Sequence, residues 1–275
     1  PQGDDARLTG AAPAVAVAEQ AGVTVETVAR DDARVGSVLT PDDRVSAAAW
    51  NSVSEATVVT ISGEVAEPVR IDVVGSSADP AAMHLTVLVE ENAQAVSYGG
   101  GVVRLTPTAR FAAERGEAEM YGLYFADAGQ HLENRLFVDH NQPDCVSNVL
   151  YKGALQGTDA RTVWVGDVLI RKEAEGTDTY EKNQNLLLSD GARADSVPNL
   201  EIETGVIEGA GHASATGRFD ETQLFYLMAR GISETEARRL IVRGFLNEII
   251  QKIGVGDVED ELTAVMEDEL RIAQL

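Results

Sequence analysis

Between Val102 and Ile207 the apolar residues fall in short runs separated by turn residues, and few helical stripes survive. The runs predict strands at Val102 to Leu105, Glu119 to Phe125, Leu136 to Val138, Val149 to Leu155, Thr162 to Ile170, Leu186 to Leu188 and Leu200 to Glu203. Gly116, Gly122, Gly129, Gly153, Gly157, Gly166, Gly176 and Gly191 punctuate them and read as turns between strands. An all-β core follows. Periodicity alone leaves two architectures open, a sandwich and a stacked parallel β-helix, because both give short strands at turn-limited spacing.

After Gly217 the apolar spacing lengthens to that of helices. Asp220 is placed to cap a helix carrying Leu224, Phe225, Leu227 and Met228, and Gly231 stands where a left-handed C-terminal residue is wanted. Ser233 with Glu236 forms a capping-box pattern. The helix it opens is expected to bury Ala237, Leu240, Ile241, Phe245, Ile249 and Ile253, and to end at Gly254-Val255-Gly256. A third helix carries Val258, Leu262, Val265, Met266 and Leu270. Residues 1–50 read as a partly helical N-terminal segment, with a helix near Thr24 to Val28 and Trp50 at the boundary with the first strands. The resulting domain plan is 1–50, a β core over 51–217, and a helical domain over 218–275.

Composition narrows the class without naming a function. Of 275 residues, 44% are hydrophobic and 24% charged, the balance of a folded soluble domain. The longest apolar stretch, beginning at Ala11, is too short to span a bilayer and follows no basic region, so a soluble, cytoplasmic protein without membrane contact is expected. A net charge of -23 opposes nucleic-acid phosphates, and the dispersed acidic residues read as solubilising surface rather than as calcium ligands. The single cysteine, Cys145, can form neither an internal disulfide nor a thiolate metal cage by itself. No GxxxxGK[ST], GxSxG, HExxH or paired CxxC pattern occurs, so nucleotide hydrolysis is assigned to a partner.

Three groups of residues could carry chemistry. His212 lies in the run Gly211-His212-Ala213-Ser214-Ala215-Thr216-Gly217, whose small side chains permit close approach; a neutral imidazole is a competent metal ligand, but a lone one would need further donors. His131, Glu133, Asp139, His140 and Cys145 superficially resemble a metal site, yet their spacing is not diagnostic, and turn hydrogen bonds by Asp139, Asn141 and Asn148 are the preferred reading. Glu201 and Glu203 share a strand face, which keeps a β-helical carbohydrate-active enzyme as a competing class.

Several ordered motifs resemble the SufB/SufD family of iron–sulfur cluster assembly scaffolds, in the spacing of its SufD branch. They are Asp139-His140, Pro143, Cys145, Ser147-Asn148, Tyr151-Lys152-Gly153, Asn185-Leu186-Leu187-Leu188-Ser189-Asp190, Pro198-Asn199-Leu200-Glu201-Ile202, Gly211 to Gly217, and Leu224-Phe225-Tyr226-Leu227 with Arg230-Gly231-Ile232-Ser233. The resemblance spans roughly residues 100–253 and implies a right-handed parallel β-helix with a C-terminal helical domain. It implies a noncatalytic scaffold subunit of a SufBCD complex, whose β-helix pairs with that of SufB; the alternative is that this chain is a SufB-like subunit acting as a homodimeric scaffold, which the absence of a cysteine near His212 disfavours. It also implies that His212 faces SufB where a transient cluster or iron is held, that the helices dock the ATPase SufC near Phe225, Tyr226 and Arg230, and that a cysteine desulfurase system supplies sulfur. Ala210 and Gly211 precede His212 where some relatives place a cysteine, leaving no local thiolate. The family pattern further implies more solenoid sequence than lies between Glu91 and Val102, so a segment is expected to be lacking near Ser97 to Gly101.

Overall fold

The computed structural model describes residues 10–17, 19–41, 43–62, 69–74, 79–89, 94–97, 101–218, 220–253 and 256–272. The chain forms two compact units, Pro1–Gly100 and Gly101–Leu275. The first holds β1 (Ala14–Val17), β2 (Val23–Ala29), α1 (Arg44–Ser52), β3 (Glu55–Ile61), β4 (Val69–Val74), β5 (Leu85–Val89) and β6 (Gln94–Ser97). Its strands form two three-stranded sheets, β1-β4-β6 and β2-β3-β5. The β3–β5 and β4–β6 pairs are parallel, whereas β1 and β2 join antiparallel. Val59, Ile61, Val69 and Ile71 form one core, and Val35, Ala56 and Val58 another.

The helix expected near Thr24 to Val28 is instead part of β2, paired along its length with β3. Nearly every residue there is β-branched, which stiffens χ1, costs helix stability and suits a pleated surface. The helix of this region lies later, at α1. There the Asp43 carboxylate accepts hydrogen bonds from the N–H groups of Val45 at 2.8 Å and Ser46 at 3.1 Å.

The second unit continues with β7 (Val102–Leu105), β8 (Thr108–Arg110), β9 (Glu117–Ala126), β10 (His131–His140), β11 (Val146–Leu155), β12 (Arg161–Ile170), β13 (Thr177–Leu187), β14 (Arg193–Ile202) and β15 (Ile207–Arg218). From β9 onward, successive strands alternate between two sheets, ordered β14-β12-β10-β7, with β8 also beside β10, and β15-β13-β11-β9. Every pairing in both sheets is parallel. Val149 therefore has Met120 on one side and Glu181 on the other, about 30 residues away in each direction, the stacking of a β-solenoid. This resolves the choice between sandwich and β-helix: the fold is mainly β, a parallel β-helix followed by helices.

Alternate residues of each strand enter the lumen. Met120, Tyr124 and Ala126 of β9, Val149, Tyr151 and Leu155 of β11, and Trp164, Val168 and Ile170 of β12 build its apolar core. The glycines divide into two kinds. Gly129, Gly157, Gly176 and Gly191 have φ between 75° and 85° and turn the coil corners, as expected. Gly122, Gly153 and Gly166 instead lie inside strands. The Tyr151 ring fills the space over Gly122, the Tyr124 ring that over Gly153, and Trp164 with the Glu181 carboxylate that over Gly166.

The unit closes with α2 (Glu221–Met228), α3 (Glu234–Ile253) and α4 (Gly256–Ile272). Asp220 accepts from the N–H of Thr222 at 2.8 Å, Gly231 has φ +87°, and Ser233 Oγ accepts from Glu236 N–H at 3.3 Å. Gly254 and Val255 lie outside the described residues. The expected face of α3 requires correction. Ala237 and Ile249 are buried, but so are Val242, Leu246 and Ile250, whereas Leu240 is exposed and Ile241, Phe245 and Ile253 are only half-buried. The helix is covered from two directions. Leu150 and Ala154 on the outer face of β11 meet it from one, and Met266 and Leu270 of α4 join the same core. Each such aliphatic side chain contributes about 1.5–3 kcal/mol when withdrawn from water. Lys152 adds a polar tie, its buried ammonium donating to Phe245 O at 2.9 Å and pairing with Glu248 at 2.5 Å.

Candidate functional site

β14 and β15 end the two sheet orders, so each leaves one edge without a strand beside it among the described residues. An unpaired edge offers a row of backbone donors and acceptors to another chain. The side chains on this last coil are mostly small or polar, with Val197 and Ile202 exposed among them, and are more exposed than those of the inner strands.

His212 lies within β15, which runs on to Arg218, rather than at a strand-to-helix transition. It stands beside Glu181 of β13, which in turn stands beside Val149 of β11, so the three form one lumen-facing column. At the inner positions the column is sealed, and at the end it opens: the Glu181 side chain is 0% exposed and that of His212 is 44% exposed. His212 Nδ1 lies 3.8 Å from Glu181 Oε1. Neither Glu181 oxygen has a hydrogen-bond donor placed on it. Burial, then the neighbouring Asp167 charge, raises the Glu181 carboxyl to about 8, and the smaller influence of the Asn199 N–H opposes them.

The lumen beside this pair is also polar; His140 Nδ1 and Trp164 Nε1 have no partner there, but the hydroxyl and amide groups are hydrogen-bonded. Ser147 Oγ lies 2.8 Å from His140 Nε2 and 2.6 Å from Thr179 Oγ1. Asn183 donates to Tyr124 Oη at 2.9 Å, which donates to Asn185 Oδ1 at 2.7 Å. Asn185 donates in turn to Asn183 Oδ1 at 2.7 Å and Ser196 Oγ at 3.1 Å. Thr177, Thr179, Glu181, Asn183 and Asn185 thus make the inward face of β13 polar until Leu187, which packs against the apolar core.

The grouping of His131, Glu133, Asp139, His140 and Cys145 is dispersed among separate partners. Glu133 pairs with Arg104 at 2.9 Å and Arg135 at 2.6 Å, with His131 Nε2 at 3.9 Å. Asp139 pairs with Arg171 at 2.6 Å and Arg110 at 3.5 Å. His140 turns into the lumen against the Phe111 ring, and burial lowers it to about 4 despite the opposing Asp139 charge. Cys145 is buried with Sγ toward Ala113 O and Pro143 O, and burial pushes its thiol up, away from the reactive thiolate. Among the described residues, no group of three or more His, Cys, Asp and Glu side chains converges as a metal cage.

Phe225, Tyr226 and Arg230 do come together on the outer surface of α2 and the turn after it. Phe225 is 72% exposed and Tyr226 56%. The Arg230 guanidinium stacks 4.6 Å from the centre of the Tyr226 ring and donates to its hydroxyl at 2.5 Å. Glu201 and Glu203 lie exposed at the end of β14 and just beyond it. Sequence reasoning missed Glu181. The available signal was the alternation Thr177, Thr179, Glu181, Asn183, Asn185, which has the period of a strand but none of the apolarity used to find one.

No helix among the described residues is long and apolar enough to cross a membrane. Comparison with known proteins places this geometry in a family. Residues 84–245 match the family model described as SUF system FeS cluster assembly, SufBD core domain. An iron–sulfur cluster assembly SufBD family protein of Mycobacterium tuberculosis is 48% identical over 98% of this chain and 84% of its own length. A counterpart in Mycobacterium leprae is 47% identical over 94% of this chain and 83% of its own. The SufD protein of Escherichia coli is 29% identical over 62% of this chain and 41% of its own. The alignment with the M. tuberculosis protein extends over 336 residues against 275 in this chain, so that relative carries interior residues without a counterpart here. Within the stretch from Glu91 to Val102, where a shortage of solenoid sequence is expected, residues 91–93 and 98–100 lie outside the described residues. On the match across more than half of its length, and on relatives 47–48% identical of which it covers more than four-fifths, the chain belongs to the SufBD family of iron–sulfur cluster assembly proteins.

Proposed function

We propose that this protein is a noncatalytic, cytoplasmic scaffold subunit of the SufD type, pairing through β14 and β15 with the solenoid of a SufB partner and docking a SufC ATPase through α2. The observation that carries the reading is the open last coil, whose two strands each leave one edge unpaired among the described residues and whose accessible imidazole, His212, stands on one of those edge strands. A SufB solenoid satisfies those edges by continuing both sheets. It also places its own donors beside His212, as a lone imidazole requires to hold a nascent cluster or iron. The cluster is cargo on this reading, formed at the joint from sulfur delivered by a cysteine desulfurase system. SufC hydrolyses ATP, and Phe225, Tyr226 and Arg230 form its landing surface, in keeping with the enrichment of aromatic and arginine side chains at protein contacts.

Co-expression with the cognate SufB and SufC, purification through a tag on SufC, and assay of iron and sulfide test the assignment. All three chains are expected to co-purify, and His212→Ala is expected to lose at least about tenfold of the bound iron without losing the partners. Failure of the three chains to associate would remove the scaffold reading, and unchanged iron in His212→Ala would return that residue to a structural role.

A further inference from the structure

We infer that Glu181 and His212 together form a two-donor half-site for a divalent first-row transition-metal ion, with ferrous iron as the cargo it fits. This inference rests on the proposed role of His212 in handling iron, and it adds a donor and a defined chemistry to that role. The two side chains share one lumen-facing column on adjacent strands, so the backbone ladder fixes their spacing. The carboxylate is fully buried, neither of its oxygens has a partner at full hydrogen-bond geometry, the Asn199 N–H acts on it only weakly, and the basic group beside it is the imidazole at 3.8 Å.

A buried carboxylate without a well-placed donor costs folding stability, since burial disfavours its charge. Its neighbours do not relieve it. Gly166 leaves the space that the carboxylate occupies, Trp164 closes the same space with an apolar ring edge, and Asp167 adds charge of the wrong sign. A cation between Glu181 and His212 supplies the missing counter-charge. The geometry is close to what such an ion requires. Donors bound at about 2.1 Å and separated by a tetrahedral angle stand roughly 3.4 Å apart, so the observed separation closes by a few tenths of an ångström through side-chain rotation. One imidazole and one carboxylate suit iron(II), cobalt(II), manganese(II) and zinc(II) better than calcium or copper(I). Binding displaces the carboxyl proton to solvent and changes no oxidation state. The remaining coordination positions face the open coil, where water fills them in the free chain and a partner's donors can replace it. In this order of events iron arrives as the bare ion before sulfide, on the chain that has no thiolate beside the site.

Anaerobic titration of the full chain with cobalt(II), read by its ligand-field absorption and by calorimetry, tests the site without any assembly assay. The wild type is expected to bind one ion. Glu181→Gln, which keeps shape and removes the charge, and His212→Ala are each expected to weaken binding at least about tenfold. Glu181→Asp withdraws the carboxylate while keeping its charge and is expected to weaken binding as well. Urea unfolding of each variant confirms that the comparison is between folded proteins, and a cobalt-dependent rise in the wild-type midpoint gives an independent measure of the same binding. Wild-type affinity in Glu181→Gln, or no binding by the wild type, overturns the half-site. Co-purification with SufB and SufC, measured on the same variants, reports separately on the scaffold role, so loss of the half-site with intact co-purification leaves that role standing.

Discussion

One coil separates Glu181 from His212, and the two positions occupy the same column of the same sheet. The inner one is sealed and the outer one is open to solvent. The same contrast runs through whole strands: β11 is buried at almost every position after its first three, whereas β15 is largely exposed from His212 onward. Both strands have identical parallel pairing on one side. What differs is the other side, where β11 has β9 and β15 has nothing among the described residues. A solenoid therefore makes two chemical environments from one repeated unit. Inner coils have their edges satisfied and can be filled with large apolar groups, while the last coil keeps small polar residues and an unsatisfied edge. Stability is expected to reside in the former and partner recognition in the latter.

Substitution of Trp164 breaks the comparison hardest. This fully buried side chain fills the lumen between Tyr151, 6.1 Å away between ring centres, and the space over Gly166. Trp164→Ala is expected to cost about 3–5 kcal/mol in urea unfolding. Its last-coil counterpart in the same sheet is the partly exposed Ser196, whose hydroxyl bonds Asn183 and Asn185; Ser196→Ala is expected to cost about 1 kcal/mol. Comparable losses from the two variants would contradict the division between a structural interior and a recognition end.

The next largest effect is electrostatic. His140 is buried in the lumen and its folded-state value is about 4, against 6.5 for the ordinary group. The unfolded chain binds the proton first as pH falls, so the contribution is fully present above about 6.5 and is lost between there and about 4. The loss amounts to roughly 3 kcal/mol on complete protonation. Unfolding midpoints measured across that range are expected to fall for the wild type and to be flatter for His140→Gln. An equal decline in both would assign the acid sensitivity to other groups.

How much of this was legible in the sequence varies with how each element is held together. β11 and β12 carry enough apolar residues to reveal themselves, and the capping residues Asp220, Gly231 and Ser233 mark helix ends by local chemistry that needs no tertiary knowledge. β13 was read only at its apolar end, because its inward residues from Thr177 to Asn185 are threonine, glutamate and asparagine instead of hydrocarbon. Glu181 was hidden for that reason. The face of α3 was misread because a single stripe was sought, whereas a helix covered by both a sheet and another helix buries a wider sector. The error at Thr24 to Val28 came from overlooking β-branching. His212, by contrast, was singled out only by the motif around it, since composition and spacing alone gave no reason to rank it above other histidines.

The smallest effects compare glycines, and they isolate packing from backbone conformation because neither site has a positive φ. A Cβ at Gly153 would fall 1.9 Å from the Tyr124 ring, while one at Gly217 meets nothing within 4 Å. Gly153→Ala forces the Tyr124 ring, and the hydrogen-bonded pair Asn183 and Asn185 that holds its hydroxyl, to shift together. The expected cost is about 1–3 kcal/mol. Gly217→Ala restricts the unfolded chain without meeting a neighbour and is expected to be neutral to stabilising by up to about 1 kcal/mol. Measured in the free protein, this pair shows whether the last coil is tolerant by itself. Measured again in the assembled complex, a new penalty at Gly217 and an unchanged one at Gly153 would mean that a partner packs closely over the last coil; equal values in both states would put the partner elsewhere.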